Sequence, residues 1–380
     1  MKYVTLGATG LKASRFGLGC VRFIDDGEQS AIKLIRYALD NGVNYLDTAY
    51  YYGNSEEIVG KALTNGYRDK AILVTKSPLA SCEKYEDLEK YLDIELKKLQ
   101  TDYIDIYLIH NIDAKKYHKV AKLNYKKFFE SMKKKGKIRY HGCSVHGSFE
   151  HLKQVIDNHS FQLMTLQVGL LDTDIQAGVK GLKYVSQNYN MPTSIMSPLR
   201  GGNLVKYAPQ KVHDLINSFP VKRSIAEWGF RYLYNMPEVS VVLSGVSNIE
   251  QLKDNIKIFS KAETNVINIK EQQLLQNIKT AFLKSYAVPC TTCKYCLPCP
   301  QNINIPKILS LYNKISVAPN HIDNQYYQNE MIANKTDVSQ CIECGACEKQ
   351  CPQEINIIKK LKEAHEKLSE KREAIGLLSI

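Results

Sequence analysis

AILVTKSPLASCEKYEDLEKYLDIELKKLQTDYIDIYLI, residues 71–109, decides how this chain folds. Its two ends, Ala71–Lys76 and Tyr103–Ile109, are short apolar runs rich in β-branched and aromatic residues, the composition of buried strands. Between them Leu88, Leu92, Leu96 and Leu99 recur on one face of a helix predicted over Glu83–Leu99. Strand, amphipathic helix and strand in so short a stretch make a unit whose strands run parallel under a covering helix.

The same alternation extends in both directions, from residue 16 to about residue 260. Strands are predicted at Phe16–Cys20, Val43–Asp47, Ala71–Lys76, Tyr103–Ile109, Ile138–Cys143, Leu163–Val168, Thr193–Ser197 and Val239–Leu243. A helix over Gln29–Asn41 places Ile32, Ile35 and Leu39 on one stripe and stops at Gly42. Eight such units favour closure into a (β/α)8 TIM barrel over an open sheet. Ahead of them, Tyr3–Leu6 and Leu11–Ser14 flank Gly7-Ala8-Thr9-Gly10, a small hairpin expected to plug the barrel bottom.

The chain has 380 residues, enough for a barrel and a second, smaller domain. The formal net charge is +12, but no nucleic-acid-binding signature accompanies it, and runs such as Lys133-Lys134-Lys135 read as solvated helix faces; nucleic acid is not an expected partner. The N-terminus shows no signal-peptide pattern and no segment reaches the ~18 apolar residues of a membrane span, so a cytoplasmic location without a membrane span is expected. No glycine-rich Rossmann or P-loop motif occurs, so any nicotinamide must be held another way.

Eight of the eleven cysteines fall after residue 289, and crowding of this kind in a reducing compartment points to metal. Cys341-x2-Cys344-x2-Cys347-x3-Cys351-Pro352 has the spacing of the bacterial ferredoxin run, whose fourth cysteine often ligates a different cluster in two-cluster proteins. Cys290-x2-Cys293-x2-Cys296-x2-Cys299-Pro300 is one residue shorter and resembles a degenerate copy. Eight thiolates suffice for two [4Fe–4S] clusters, which we favour over a single cluster or zinc, because structural zinc takes paired knuckles. The sequence therefore reads as a barrel over residues 1–280 and a small, mainly α-helical, ferredoxin-like iron–sulfur domain over residues 285–375. Cys20, Cys82 and Cys143 are read as small buried or idle thiols.

Barrel enzymes place their chemistry at the C-terminal strand ends. Asp47 ends the second predicted strand with Tyr52 after it, Lys76 ends the third, and His110 lies just past the fourth. The stretches Asp47-Thr48-Ala49-Tyr50-Tyr51-Tyr52-Gly53, Val74-Thr75-Lys76 and Asp105–His110 resemble the motifs of the aldo/keto reductase family, and the likeness runs from the hairpin to about residue 260.

That resemblance implies a catalytic tetrad of Asp47, Tyr52, Lys76 and His110, the motif spacing selecting Tyr52 from three consecutive tyrosines. Tyr52 would be the general acid/base, Lys76 the cation that lowers its pKa, Asp47 the carboxylate that holds Lys76, and His110 the group that orients the carbonyl oxygen. The resemblance also assigns Ser144, Gln167, Ser197 and Leu199 to the nicotinamide, and Gly245, Ser247, Gln251 and Asn255 to the rest of an NAD(P)H cofactor. Val145, Met196 and Gln251 depart from the family's usual asparagine, aromatic and arginine, which leaves NADP, NAD and flavin open. The expected function is carbonyl/alcohol oxidoreduction on a small molecule, with a protein electron donor or acceptor for the clusters. The alternative is an electron-transfer or docking module whose barrel is catalytically altered.

Overall fold

The strand residues predicted around residues 71–109 do pair as parallel neighbours. In the computed structural model, which describes residues 1–21, 27–114, 116–317 and 321–370, the paired strands of that stretch are β5 (Ile72–Ser77) and β6 (Ile104–Ile112), following β1 (Tyr3–Thr5), β2 (Lys12–Ser14), β3 (Phe16–Gly19) and β4 (Tyr45–Asp47). β7 (Ile138–Val145), β8 (Met164–Gln167), β9 (Thr193–Met196) and β10 (Val241–Ser244) complete the set. β3 to β10 close into a parallel barrel in chain order, with β10 pairing back onto β3. All eight predicted strands are present, with shifted ends; β6 continues through His110, which therefore lies within the strand instead of past it.

The chain divides into two compact units. One comprises Met1–Leu199 and Ala226–Ile269; the other comprises Arg200–Ile225 and Lys270–Ile380.

In the first unit the strand period of two sorts the side chains. Tyr45, Ile72, Val74, Ile106, Leu108, Leu163, Val241 and Leu243 pack together as a buried interior. Leu73, Tyr107, Ile109 and Ile195 alternate with them and join the larger core. The antiparallel hairpin β1–β2 contributes fully buried Leu6 and Ala13 to the interior group, and the Tyr140 hydroxyl donates to the Thr9 carbonyl at 2.6 Å. Gly17 makes room for this layer: a Cβ there would stand 2.6 Å from Leu243 and 2.7 Å from Val241. The covering helices run where the apolar stripes predict, at Gly27–Asp40 and Tyr85–Leu99.

The second unit builds its own core from helices Ile305–Val317 and Ile357–Ser369 with Tyr327, Met331 and Val338, and six of its cysteines pack against that core. Among the described residues no helix is long and apolar enough to cross a membrane.

Candidate functional site

The interior alternation fixes what stands at the barrel mouth. Tyr45 points inward, so Asp47 does too; Ile72 and Val74 lead to Lys76, and Ile106 and Leu108 lead to His110. By the same count Ser144 follows Tyr140, and Gln167 follows Leu163. Asp47, Lys76, His110, Ser144 and Gln167 are thus the last or near-last inward positions of five consecutive strands. All five are buried.

Lys76 Nζ is the hub. It donates to Asp47 Oδ1 at 2.6 Å, to the Thr48 carbonyl at 2.8 Å and to the Tyr52 hydroxyl at 3.4 Å. The Tyr52 ring meets His110 edge to face, with ring centres 5.8 Å apart. Tyr50 instead packs on Tyr91, and the Tyr51 hydroxyl is engaged with Ser81 at 2.7 Å. The structure therefore brings Asp47, Tyr52, Lys76 and His110 together; the Tyr51 ring also lies 5.6 Å from the His110 ring, but its hydroxyl is held by Ser81.

Electrostatics follow from burial and these neighbours. Burial pushes the Asp47 carboxyl up, with Lys76 acting against it. Burial resists the Lys76 charge, but Asp47 and Tyr52 outweigh it and raise the lysine. For Tyr52 burial is again the largest influence, and it carries the phenol above its ordinary value although the Lys76 ammonium pulls it down. The sequence-based expectation of a lowered Tyr52 pKa is thereby corrected: it counted the cation and not the lost hydration. Burial, then Lys76, His146 and Lys116, hold His110 well below the usual histidine range, so its ring is neutral.

The residues assigned to a nicotinamide cofactor fall in two places. Ser144 Oγ accepts from the Asn111 amide at 2.8 Å, and Gln167 Oε1 accepts from Gln176 at 3.1 Å. Gln167 Nε2, Asp47 Oδ2 and His110 Nδ1 are buried without a hydrogen-bond partner among the described residues. Unsatisfied groups of this kind, grouped at one mouth, suit a polar ligand. Ser197, at the end of β9, has a left-handed backbone (φ 54°), and Leu199 follows, half-buried.

After β10, Gly245 is exposed, and Asn255 donates to Ser244 Oγ at 3.3 Å. Gln251 is turned onto its own loop, where its amide oxygen accepts from the Ser247 amide at 3.0 Å.

Two residues of the mouth escaped sequence reasoning. His146, just past β7, is buried and held down to about 4, by burial first and Lys116 second, with Gln176 as its hydrogen-bond partner. A lone histidine just past β7, or a glutamine in the loop that follows β8, carries no signal in the sequence; only the fold brings the two together. Cys20 lies beside Asp47 and Lys76, but burial pushes its thiol well above the usual range, consistent with an idle thiol.

In the second unit the cysteines sort across the two runs. Burial first, then the neighbouring Cys293 and Cys351, push the Cys290 thiol up to about 12. Cys351 is also an electrostatic neighbour of Cys293 and Cys296, whereas Cys341 is one of Cys347. Cys351, the last cysteine of the second run, thus stands with the first three of the first run. Among the described residues no three such side chains converge tightly enough for a single metal ion.

A closed parallel barrel with a Lys-centred polar group at its mouth defines a TIM-barrel enzyme. Residues 15–272 match the aldo/keto reductase family and residues 289–357 the 4Fe-4S dicluster domain. The chain belongs to the aldo/keto reductase family, a family of oxidoreductases, and carries a C-terminal iron–sulfur domain. It is similar to the uncharacterized oxidoreductase YrpG of Bacillus subtilis, 26% identical over 68% of this chain and 90% of that one. It is 25% identical to L-galactose dehydrogenase of Arabidopsis thaliana over 68% and 88% of the two chains. Among solved structures, the holo form of aldo-keto reductase AKR11C1 from Bacillus halodurans superposes with a TM-score of 0.60 at 25% identity, covering 73% of this chain and 96% of that one.

Proposed function

We propose that the protein is an iron–sulfur oxidoreductase that interconverts a small-molecule carbonyl compound and its alcohol at the barrel mouth, with Tyr52 as general acid/base. The observation that carries this reading is the Lys76 ammonium, held by Asp47 at 2.6 Å and placed 3.4 Å from the Tyr52 hydroxyl.

A nicotinamide, when bound, supplies the hydride. Gln167, with its unpartnered amide nitrogen, Ser144 and the backbone around Ser197 and Leu199 would hold its carboxamide end; Gly245, Ser247 and Asn255 would line the remainder. In reduction Tyr52, kept protonated by burial, gives its proton to the carbonyl oxygen as that oxygen becomes negative. Lys76 stabilises the phenolate left behind, and Asp47 keeps Lys76 charged and in place. Neutral His110 orients the same oxygen with a ring N–H.

For the second unit, Cys290, Cys293, Cys296 and Cys351 would hold one [4Fe–4S] cluster and Cys299, Cys341, Cys344 and Cys347 the other. Clusters pass single electrons whereas hydride carries two, so a flavin or a partner electron carrier belongs to this reading. One observation favours the docking-module alternative: Gln251 is spent on Ser247, and Val145 and Met196 replace the family's usual cofactor contacts.

The test is anaerobic. The iron-loaded protein is given NADPH or NADH with a panel of aldehydes and ketones, while nicotinamide absorbance and the electron paramagnetic resonance of the clusters are followed. Carbonyl-dependent nicotinamide oxidation supports the enzyme. No turnover with any carbonyl, while dithionite still reduces the clusters, moves the assignment to the docking module.

A further inference from the structure

Tyr52 is carried on the loop between β4 and helix Ser55–Leu63, and that loop is fastened to β5 at both ends. At its start the Thr48 carbonyl accepts from Lys76 Nζ at 2.8 Å; past its end Glu56 Oε1 accepts from Thr75 Oγ1 at 2.7 Å. Thr75 and Lys76 are neighbours on β5 and face opposite sides of the sheet. Glu56 therefore grips the outer face of the strand whose inner face presents the ammonium.

Glu56 is fully buried, and so is Glu95 on helix Tyr85–Leu99. Both helices return between parallel strands and so run in the same direction. They approach closely at Gly60, where a Cβ would stand 2.4 Å from the Lys98 carbonyl oxygen and 2.9 Å from Leu99 Cα. One turn back from Gly60 is Glu56, and one turn back from Leu99 is Glu95. The two carboxyl groups are hydrogen-bonded to each other.

That bond needs a proton of its own. The outer oxygens are supplied by hydroxyls, Glu56 Oε1 by Thr75 and Glu95 Oε2 by Tyr107 at 2.5 Å. The inner oxygens, Glu56 Oε2 and Glu95 Oε1, are buried and meet no hydrogen-bond donor among the described residues. A hydroxyl has one proton to give, and those of Thr75 and Tyr107 are already engaged, so the inner oxygens bond only if one carboxyl is protonated. The Lys98 ammonium, 3.8 Å from Glu56 Oε2, favours the charge on Glu56 and the proton on Glu95. Burial first and Glu56 second carry the Glu95 carboxyl well above its usual range. The other titratable groups facing the pair are Lys76 from β5, Tyr50 from the Tyr52 loop, Tyr107 from β6, Tyr125 from helix Tyr125–Lys134 and Cys82. Burial raises the three tyrosines and the thiol, so these four stay neutral.

We propose that Glu56 and Glu95 share one buried proton and act together as positioning residues, holding Tyr52 against Lys76 by fastening the loop that carries Tyr52 to β5. This rests on the reading of Tyr52 and Lys76 as carbonyl-reducing groups given above. Two carboxylates in contact away from water repel, whereas an acid and a carboxylate form a charge-assisted hydrogen bond. The pair thus closes helix Ser55–Leu63 onto β5 and onto helix Tyr85–Leu99, and the Tyr52 hydroxyl keeps its 3.4 Å approach to Lys76 Nζ.

The experiment compares the iron-loaded full chain as wild type, Glu95→Gln, Glu95→Ala and Thr75→Val. Infrared difference spectra between H2O and D2O at neutral pH should show a protonated carboxyl band in the wild type that Glu95→Gln lacks. Thermal unfolding from about pH 5 to about pH 8 reads the same proton by linkage. A carboxyl raised in the fold contributes its stability in full below the ordinary value of 4.5 and loses it as pH rises toward the raised value. The stability of Glu95→Gln relative to the wild type should therefore grow with pH, by up to about tenfold in the folding constant per pH unit. In carbonyl reduction, Thr75→Val and Glu95→Ala should lower kcat about tenfold, the worth of roughly one hydrogen bond, with KM little changed. Glu95→Gln, whose amide donates to Glu56 in place of the acid, should restore kcat.

An infrared spectrum that Glu95→Gln leaves unchanged, or a relative stability of Glu95→Gln that falls as pH rises, overturns the shared proton. Unchanged kcat in Thr75→Val, or a loss in Glu95→Ala that Glu95→Gln does not reverse, overturns the positioning role. If Glu95→Ala does not fold, Thr75→Val, which keeps the side chain's shape, decides that role. Wild-type protein that turns over no carbonyl would instead overturn the reading of the barrel mouth, while the infrared band still decides the pair, so the two failures are distinguishable.

Discussion

The barrel mouth and the cysteine-rich unit gather their functional groups in opposite ways. In the barrel, Asp47, Lys76, His110, Ser144 and Gln167 are far apart in the chain, and the strand period of two brings each to an inward end. In the second unit the cysteines stand in two dense runs, yet the structure redistributes them, setting Cys351 among the first three cysteines of the other run. Regular elements let separation in sequence be converted to position by counting. Irregular loops conserve spacing but leave the choice of partner to tertiary packing.

The comparison is broken most sharply by removing the proton donor. Tyr52→Phe keeps the ring and loses the hydroxyl that Lys76 approaches at 3.4 Å. Carbonyl turnover should fall by about 10²–10⁴-fold, the usual worth of a positioned general acid, while iron and sulfide content stay at the wild-type level. Full retained turnover would remove Tyr52 from the mechanism.

A smaller effect tests the next strand ends. Gln167→Ala removes the buried amide nitrogen that lacks a partner, and the KM for the nicotinamide should rise about tenfold, the worth of roughly one lost hydrogen bond. kcat should change little. An unchanged KM would show that this amide does not face the cofactor.

The crossing of the cysteine runs is tested by pairing variants. Cys351→Ser and Cys290→Ser should each abolish the same paramagnetic signal and each leave about half of the iron, because one of two clusters is lost. If Cys351→Ser instead removes the signal lost in Cys344→Ser, the runs do not cross.

Much of this was legible beforehand, for physical reasons that differ by residue. The eight strands announce themselves as apolar runs between helical stripes; β5 ends later than predicted because Ser77 is a polar residue carried on by the ladder, and β6 because pairing resumes at Ile112 after a bulge over His110 and Asn111. Glu95 sits inside the leucine stripe of its helix, where a solvated acid would be expected; it is buried because the Tyr107 hydroxyl donates to it at 2.5 Å. That partner lies on another element and leaves no local trace. The boundary at Arg200 was invisible for a similar reason: nothing in Ser197-Pro198-Leu199-Arg200 signals that the chain passes into the second unit there.

The smallest predicted effect concerns acidity, where sequence and structure point in opposite directions. An ammonium beside a phenol argues for an alkaline limb near neutrality, but burial raises Tyr52 above its ordinary value of 10 despite Lys76. The acid form gives the proton, so it is the active form for reduction and persists at any pH below that raised value. Lys76 is itself raised and keeps its charge over the same span. His110 is held well below 6.5 and needs to be neutral, so it is already in that form above this value. The pH profile of kcat/KM for carbonyl reduction should therefore hold from about 6.5 to about 10 and fall on the alkaline side beyond it, while on the acid side protonation of His110 and of Asp47 lowers it. A fall beginning near pH 8 would mean that the Lys76 charge overrides the lost hydration, and would restore the order of effects that the sequence alone suggested.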